Sequence, residues 1–201
     1  MAGEKKPAAR RQGFTRAGQA LVTAAVTLLA LGHPPPAAAA GPAACVGGER
    51  DSRGRSSVDA GEIAWEDETK YDDARRWALK AWTGRGMRIR LPADDSTRIA
   101  DLEFTDVRRT DGRWNNTGGA WIGLPGTDTL ALNSAYVGKG KRLGNTSARR
   151  RIASHELGHA LGFCHKDPAR YPTLMARRLA EGPANGKPTS RDRRNYTALW
   201  G

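Results

Sequence analysis

Two hundred and one residues make a one-domain length once an N-terminal segment is set aside, and 33 lysines and arginines stand against 21 acids. Two cysteines are too few for a multi-bridged scaffold. The basic excess does not by itself imply nucleic acid, because the arginines are scattered, with few aromatics between them. Arg149-Arg150-Arg151 is the one run, and it reads as a solvated helix face.

Residues 1–40 read as a secretory signal. Lys5, Lys6, Arg10, Arg11 and Arg16 precede the apolar run Ala20 to Leu31, and the small-residue string Ala37 to Ala40 follows Pro34-Pro35-Pro36. That run is too short to span a bilayer and no stop-transfer pattern follows it, so no membrane anchor is expected after cleavage near Gly41. Arg10-Arg11 is a partial twin-arginine signal, with Phe14 one place too far along. Five of the basic residues and one acid, Glu4, precede residue 41, which leaves 28 against 20 in an exported, extracellular protein.

Cys45 to Ser57 (CVGGERDSRGRSS) is polar and Gly-rich, so residues 41–57 are expected to be a flexible segment and 58–201 the domain. Ile63-Ala64-Trp65 suggests a first strand, and Tyr71 to Trp82 places apolar residues at helical spacing. Met87 to Leu91 and Ala100 to Val107 alternate as half-buried strands do. Ala120 to Leu124 and Thr129 to Leu132 are two more short strands. A helix is predicted from about Ser147, its N-cap, to Leu161, stopped by Gly162, and a last helix from Ser190 to Trp200. The order implies one α/β or α+β domain with a twisted mixed sheet of about five strands.

The stretch SHELGHALGFCH, residues 154–165, carries the chemistry. His155 and His159, four apart on a helix, point from one face, the spacing at which two imidazoles share one zinc ion. Glu156 is turned by roughly 100° from His155, so it flanks the metal as general base for a water and does not ligate. Gly162 allows the turn that returns His165 as third ligand. Three imidazoles and one water make an open, catalytic zinc site. The full HExxHxxGxxH pattern arises by chance in a chain of this composition at about 10⁻⁵, and every histidine after His33 lies within it. Glu181 is the rival third ligand, but Gly182 and Pro183 follow it and keep it out of a helix.

These residues resemble the long zinc motif of the metzincin clan of metalloendopeptidases. The resemblance implies a methionine in a tight turn beneath the zinc, which Met175 fits, ten residues after His165. The ending, with Thr189, Ser190, Asp192 and Leu199-Trp200-Gly201, resembles the final helix of matrixins and their small bacterial relatives. Thr173-Leu174-Met175-Ala176 departs from the matrixin turn, His165 stands where snapalysins use Asp, and Arg177 occupies the place of the serralysin and astacin tyrosine. The resemblance implies a monomeric endopeptidase that binds an extended polypeptide antiparallel to an edge strand, for which Gly118 to Leu124 is the candidate, an ordinary interior strand being the alternative. A zinc-dependent binding protein and a basic secreted adhesin or nucleic-acid binder are the other function classes.

Cys45 and Cys164 are an even count in an oxidising compartment, which favours a disulfide. Lipidated Cys45, a thiolate on the zinc and two free thiols are the alternatives; a lipobox is missing and no pro-domain fits before the domain. Asp94-Asp95 and Asp111-Gly112 are loop positions of the kind calcium uses, although charged loops are ordinarily only solvated.

Overall fold

The computed structural model describes residues 42–84, 86–169 and 172–201. The predicted signal lies outside them. Strands β1 (Trp65–Asp67), β2 (Leu102–Val107), β3 (Gly119–Ile122) and β4 (Asp128–Asn133) form one sheet in the order β1-β2-β4-β3. The first three in that order run parallel, and β3 runs antiparallel at the edge. Helices α1 (Asp72–Ala81), α2 (Ser134–Val137), α3 (Thr146–Ala160) and α4 (Ser190–Trp200) complete an α+β domain.

β4 places Leu130, Ala131 and Leu132 all in the core, the continuous apolar run of a strand covered on both faces. α1 begins with Asp72 and Asp73 at its positive end and buries the small face of Ala74, Ala78 and Ala81. Trp82, at its close, is fully buried: its indole donates to Ser154 O of α3 at 2.7 Å and its ring stacks on Phe163 and Tyr196. The Tyr196 hydroxyl accepts from the N–H groups of Arg88 and Ile89, tying α4 to the segment before β2.

The sheet has four strands rather than five. Residues 87–94 do run beside β1, with Ile63 N donating to Arg90 O and Trp65 N to Pro92 O, but only isolated bridges result. Pro92 has no N–H to extend the ladder. The N-cap of α3 is Asn145, which accepts from Ala148 N, two residues before the expected Ser147. The last helix carries the expected cap, a reciprocal Thr189–Asp192 box.

The segment expected to be a flexible lead-in is a strap. Val46 N donates to His165 O, Ser52 N to Gly162 O and Ser57 N to Ala160 O. Ala43 is buried, its N–H on Asn195 Oδ1 at 2.7 Å. Cys45 and Cys164 are joined in a disulfide with Cα atoms 5.7 Å apart. Among the described residues no helix is long and apolar enough to cross a membrane.

Candidate metal centre and cleft

α3 delivers His155 and His159, one turn apart, and Gly162, at φ +88°, ends it. A side chain at 162 would also strike Ser52 O of the strap, so glycine is required twice. The reversed chain brings His165 back. The three Nε2 atoms form a near-equilateral triangle with sides of 3.1, 3.3 and 3.3 Å.

The second ring nitrogens fix what that triangle is. His155 Nδ1 lies 2.7 Å from Leu174 O and His159 Nδ1 2.6 Å from Phe163 O. A carbonyl only accepts, so both Nδ1 atoms carry the hydrogen, and the neutral rings turn bare Nε2 lone pairs towards one point. Lone pairs facing one another repel unless a cation sits among them. Two nitrogens at 2.0–2.1 Å from a tetrahedral zinc are roughly 3.3–3.4 Å apart, which the triangle matches. The donor set fits a metal ion, and within 4.8 Å of one another it consists of these three histidines alone. Burial holds the His155 imidazole below its ordinary value and His159 well below. His165 falls to about 4, first through burial and then through the neighbouring His155 and Arg177 charges.

Glu156 is buried beside this triangle and is not a member of it. Burial pushes its carboxyl up to about 7, against the pull of the Trp121 N–H, which donates to Oε2 at 2.9 Å. Glu181, the rival ligand, lies in a short 3₁₀ turn and pairs loosely with Arg178. Met175 is fully buried against α3, and a Cβ on Gly158 would stand 2.3 Å from its Sδ. Gly158, between the two helical histidines, is therefore what lets the turn come up under the helix.

The turn is pinned from below. Buried Asp192 accepts from Thr173 Oγ1, Leu174 N and Thr189 N, and Leu174 in turn offers its carbonyl to His155. Lys166, next to the third histidine, is 1% exposed and pairs with Asp51 of the strap at 2.6 Å. Sequence reading missed Gly158, Lys166 and Asp51, because each acts on a partner distant in the chain. The calcium expectation finds no donor cluster among the described residues: Asp95 pairs with Arg98 and Asp111 with Arg109.

A cleft of about 740 Å³ opens over the histidines, walled by β3 on one side and residues 174–182 on the other. Asn133 N donates to Gly118 O, which sets the alternation along the β3–β4 pair. Ala120 and Ile122 bond inward, and the backbone groups of Gly119 and Trp121 face the cleft.

No protein-family model matches the chain, and no curated protein matches it. Among solved structures it is similar to high choriolytic enzyme 1, a hatching enzyme zinc-protease from Oryzias latipes (medaka fish), at 20% identity and a TM-score of 0.34. The match covers 54% of this chain and 48% of that one, so the chain spans about half the length of that structure. A likeness of this size assigns no activity.

Proposed function

We propose that the chain is a secreted zinc-dependent endopeptidase. The observation that carries this reading is the triangle of Nε2 atoms of His155, His159 and His165, set in an open cleft beside a buried carboxylate. When bound, zinc would acidify a water and polarise the scissile carbonyl. Glu156 takes the proton of the attacking water and delivers it to the leaving amine, with its carboxylate oriented by the Trp121 N–H. A neighbouring divalent cation would lower the Glu156 pKa from its buried value and keep it ionised. The substrate lies extended along the free edge of β3, meeting the outward backbone groups of Gly119 and the carbonyl of Trp121. The disulfide and the signal-like first forty residues support export.

Digestion of an unfolded protein by zinc-loaded wild type should stop with a chelator and resume with zinc. Glu156→Gln should lose about 10²–10⁴-fold in turnover and still hold one zinc per chain by metal analysis. Cleavage that survives the chelator, or full turnover by Glu156→Gln, would sink this reading.

A further inference from the structure

Outside the cleft some arginines are paired with acids, Arg75 with Asp67 and Asp72, Arg90 with Glu62, Arg98 with Asp95, Arg109 with Asp111 and Arg150 with Asp73, and others are spread singly over the surface. The cleft instead gathers several on one lining. Arg113, Arg142, Arg151, Arg177 and Arg178 line it, and among the described residues its only carboxylate is the buried Glu156. Arg151 is pinned to the carbonyls of Leu179 and Gly182 and shapes the wall. Arg178 reaches Glu181 only at 3.5 Å, with its side chain 81% exposed. Arg113, Arg142 and Arg177 are exposed, and among the described residues none of their side chains has an acidic partner. Guanidinium groups gathered without counter-charge repel one another, and a bound anionic ligand relieves that repulsion with charge-assisted hydrogen bonds.

The geometry also says where along a substrate these charges act. A chain lying antiparallel on β3 starts opposite Ile122 and finishes opposite Gly118. Glu156, on Trp121 N, marks the place of the scissile bond. Arg113 precedes β3, and Arg142 adjoins Leu143, which abuts Gly118, so both stand past that bond on its C-terminal side. Arg177 lines the same cleft as His165, two residues past Met175. A single-stranded nucleic acid is the less suitable polyanion, because it needs stacking rings. Among the described residues the lining holds one aromatic besides the three histidines, Trp121, and its indole N–H is taken by Ser57.

We propose that the cleft selects acidic polypeptides, with Arg113 and Arg142 receiving aspartate or glutamate side chains C-terminal to the scissile bond and Arg177 adding a contact beside the third histidine. This substrate class rests on the endopeptidase reading, and the test separates the two. Zinc-loaded Glu156→Gln protein is titrated into two labelled unstructured peptides that differ only in carrying Asp or Asn at alternate positions. The Asp peptide should bind about tenfold or more tightly at low salt, with the advantage shrinking as salt rises. Adding Arg113→Gln and Arg142→Gln should remove most of that advantage. Adding Arg88→Gln and Arg193→Gln, the same change in net charge outside the cleft, should preserve it. Equal affinity for the two peptides, equal loss in both double variants, or tighter binding of an oligothymidylate of matched charge would each overturn the proposal. In a parallel digest of a peptide mixture by wild type, zinc-dependent cleavage without Asp or Glu enrichment after the cut overturns the selectivity and leaves the endopeptidase standing. No cleavage of any peptide overturns the endopeptidase, and the binding titration then decides the acidic selectivity alone.

Discussion

The floor of the cleft and its rim are built on opposite plans. On the floor every imidazole is held by something fixed: His155 by Leu174 O, His159 by Phe163 O, and the loop bearing His165 by the strap, the disulfide and the Lys166–Asp51 pair. On the rim, Arg113, Arg142 and Arg177 are exposed, with no acidic partner among the described residues. Preorganised groups suit chemistry that tolerates little displacement, whereas long, free cationic side chains can meet substrates of varied shape. The contrast teaches that loss of activity and change of preference should map to different residues.

The largest effect should come from the floor's metal donors. His165→Ala is expected to lower zinc affinity by at least about 100-fold, while Glu181→Ala leaves it unchanged. Metal titration by calorimetry checks this, and loss of zinc from Glu181→Ala would reassign the third ligand. Next comes the tie between strap and floor. Replacing Cys45 and Cys164 together with alanine opens a span of 119 residues, and the chain-entropy model sets an upper bound of about 5 kcal/mol on the loss. Denaturant unfolding of both proteins measures it; no change in midpoint would mean that the strap's hydrogen bonds suffice without the bridge.

A smaller loss, about 1–3 kcal/mol, is expected from Gly158→Ala, whose new methyl collides with Met175. Introducing Met175→Ala into the same chain should cost less than the two single changes summed, and strict additivity would show that the two residues do not share a contact. The mildest probe is acid. The three imidazoles are held below their ordinary 6.5, His165 at about 4, so the unfolded chain binds more protons in that interval. Glu156 works the other way, because its folded value of about 7 lies above the ordinary 4.5 and adds stability as pH falls through 7. Three imidazoles outweigh one carboxyl, so the net stability should decline as pH falls through 6.5 towards 4. Thermal melts of the zinc-free protein across that range check it, and a melting temperature that rises on acidification would contradict the sign.

The parts of this molecule legible in its sequence are those whose determinants lie close together. The three imidazoles that converge fall within eleven residues on one helix and its turn, so helical period and one glycine suffice to place them. Strand β2 and the last helix follow from alternation and from the Thr189–Asp192 spacing. The fifth strand fails because a pattern of side chains does not reveal that Pro92 withholds a backbone donor. The strap looked flexible because its anchors are single residues, Ala43, Cys45 and Ser52, bonded to partners more than a hundred positions away. The cleft arginines come from four separate segments, and only the fold makes one lining of them.

The buried contact of Ala43 sets a boundary for processing. Its amide reaches Asn195 on α4 without water between them. A chain trimmed to Gly41 or Pro42 keeps that peptide N–H. One trimmed to Ala43 would place a charged ammonium in a buried position, and one trimmed further would leave the Asn195 oxygen without this donor. If the proposed signal is removed, the fold would act as a ruler for that cut, and a ragged end should stop short of residue 43.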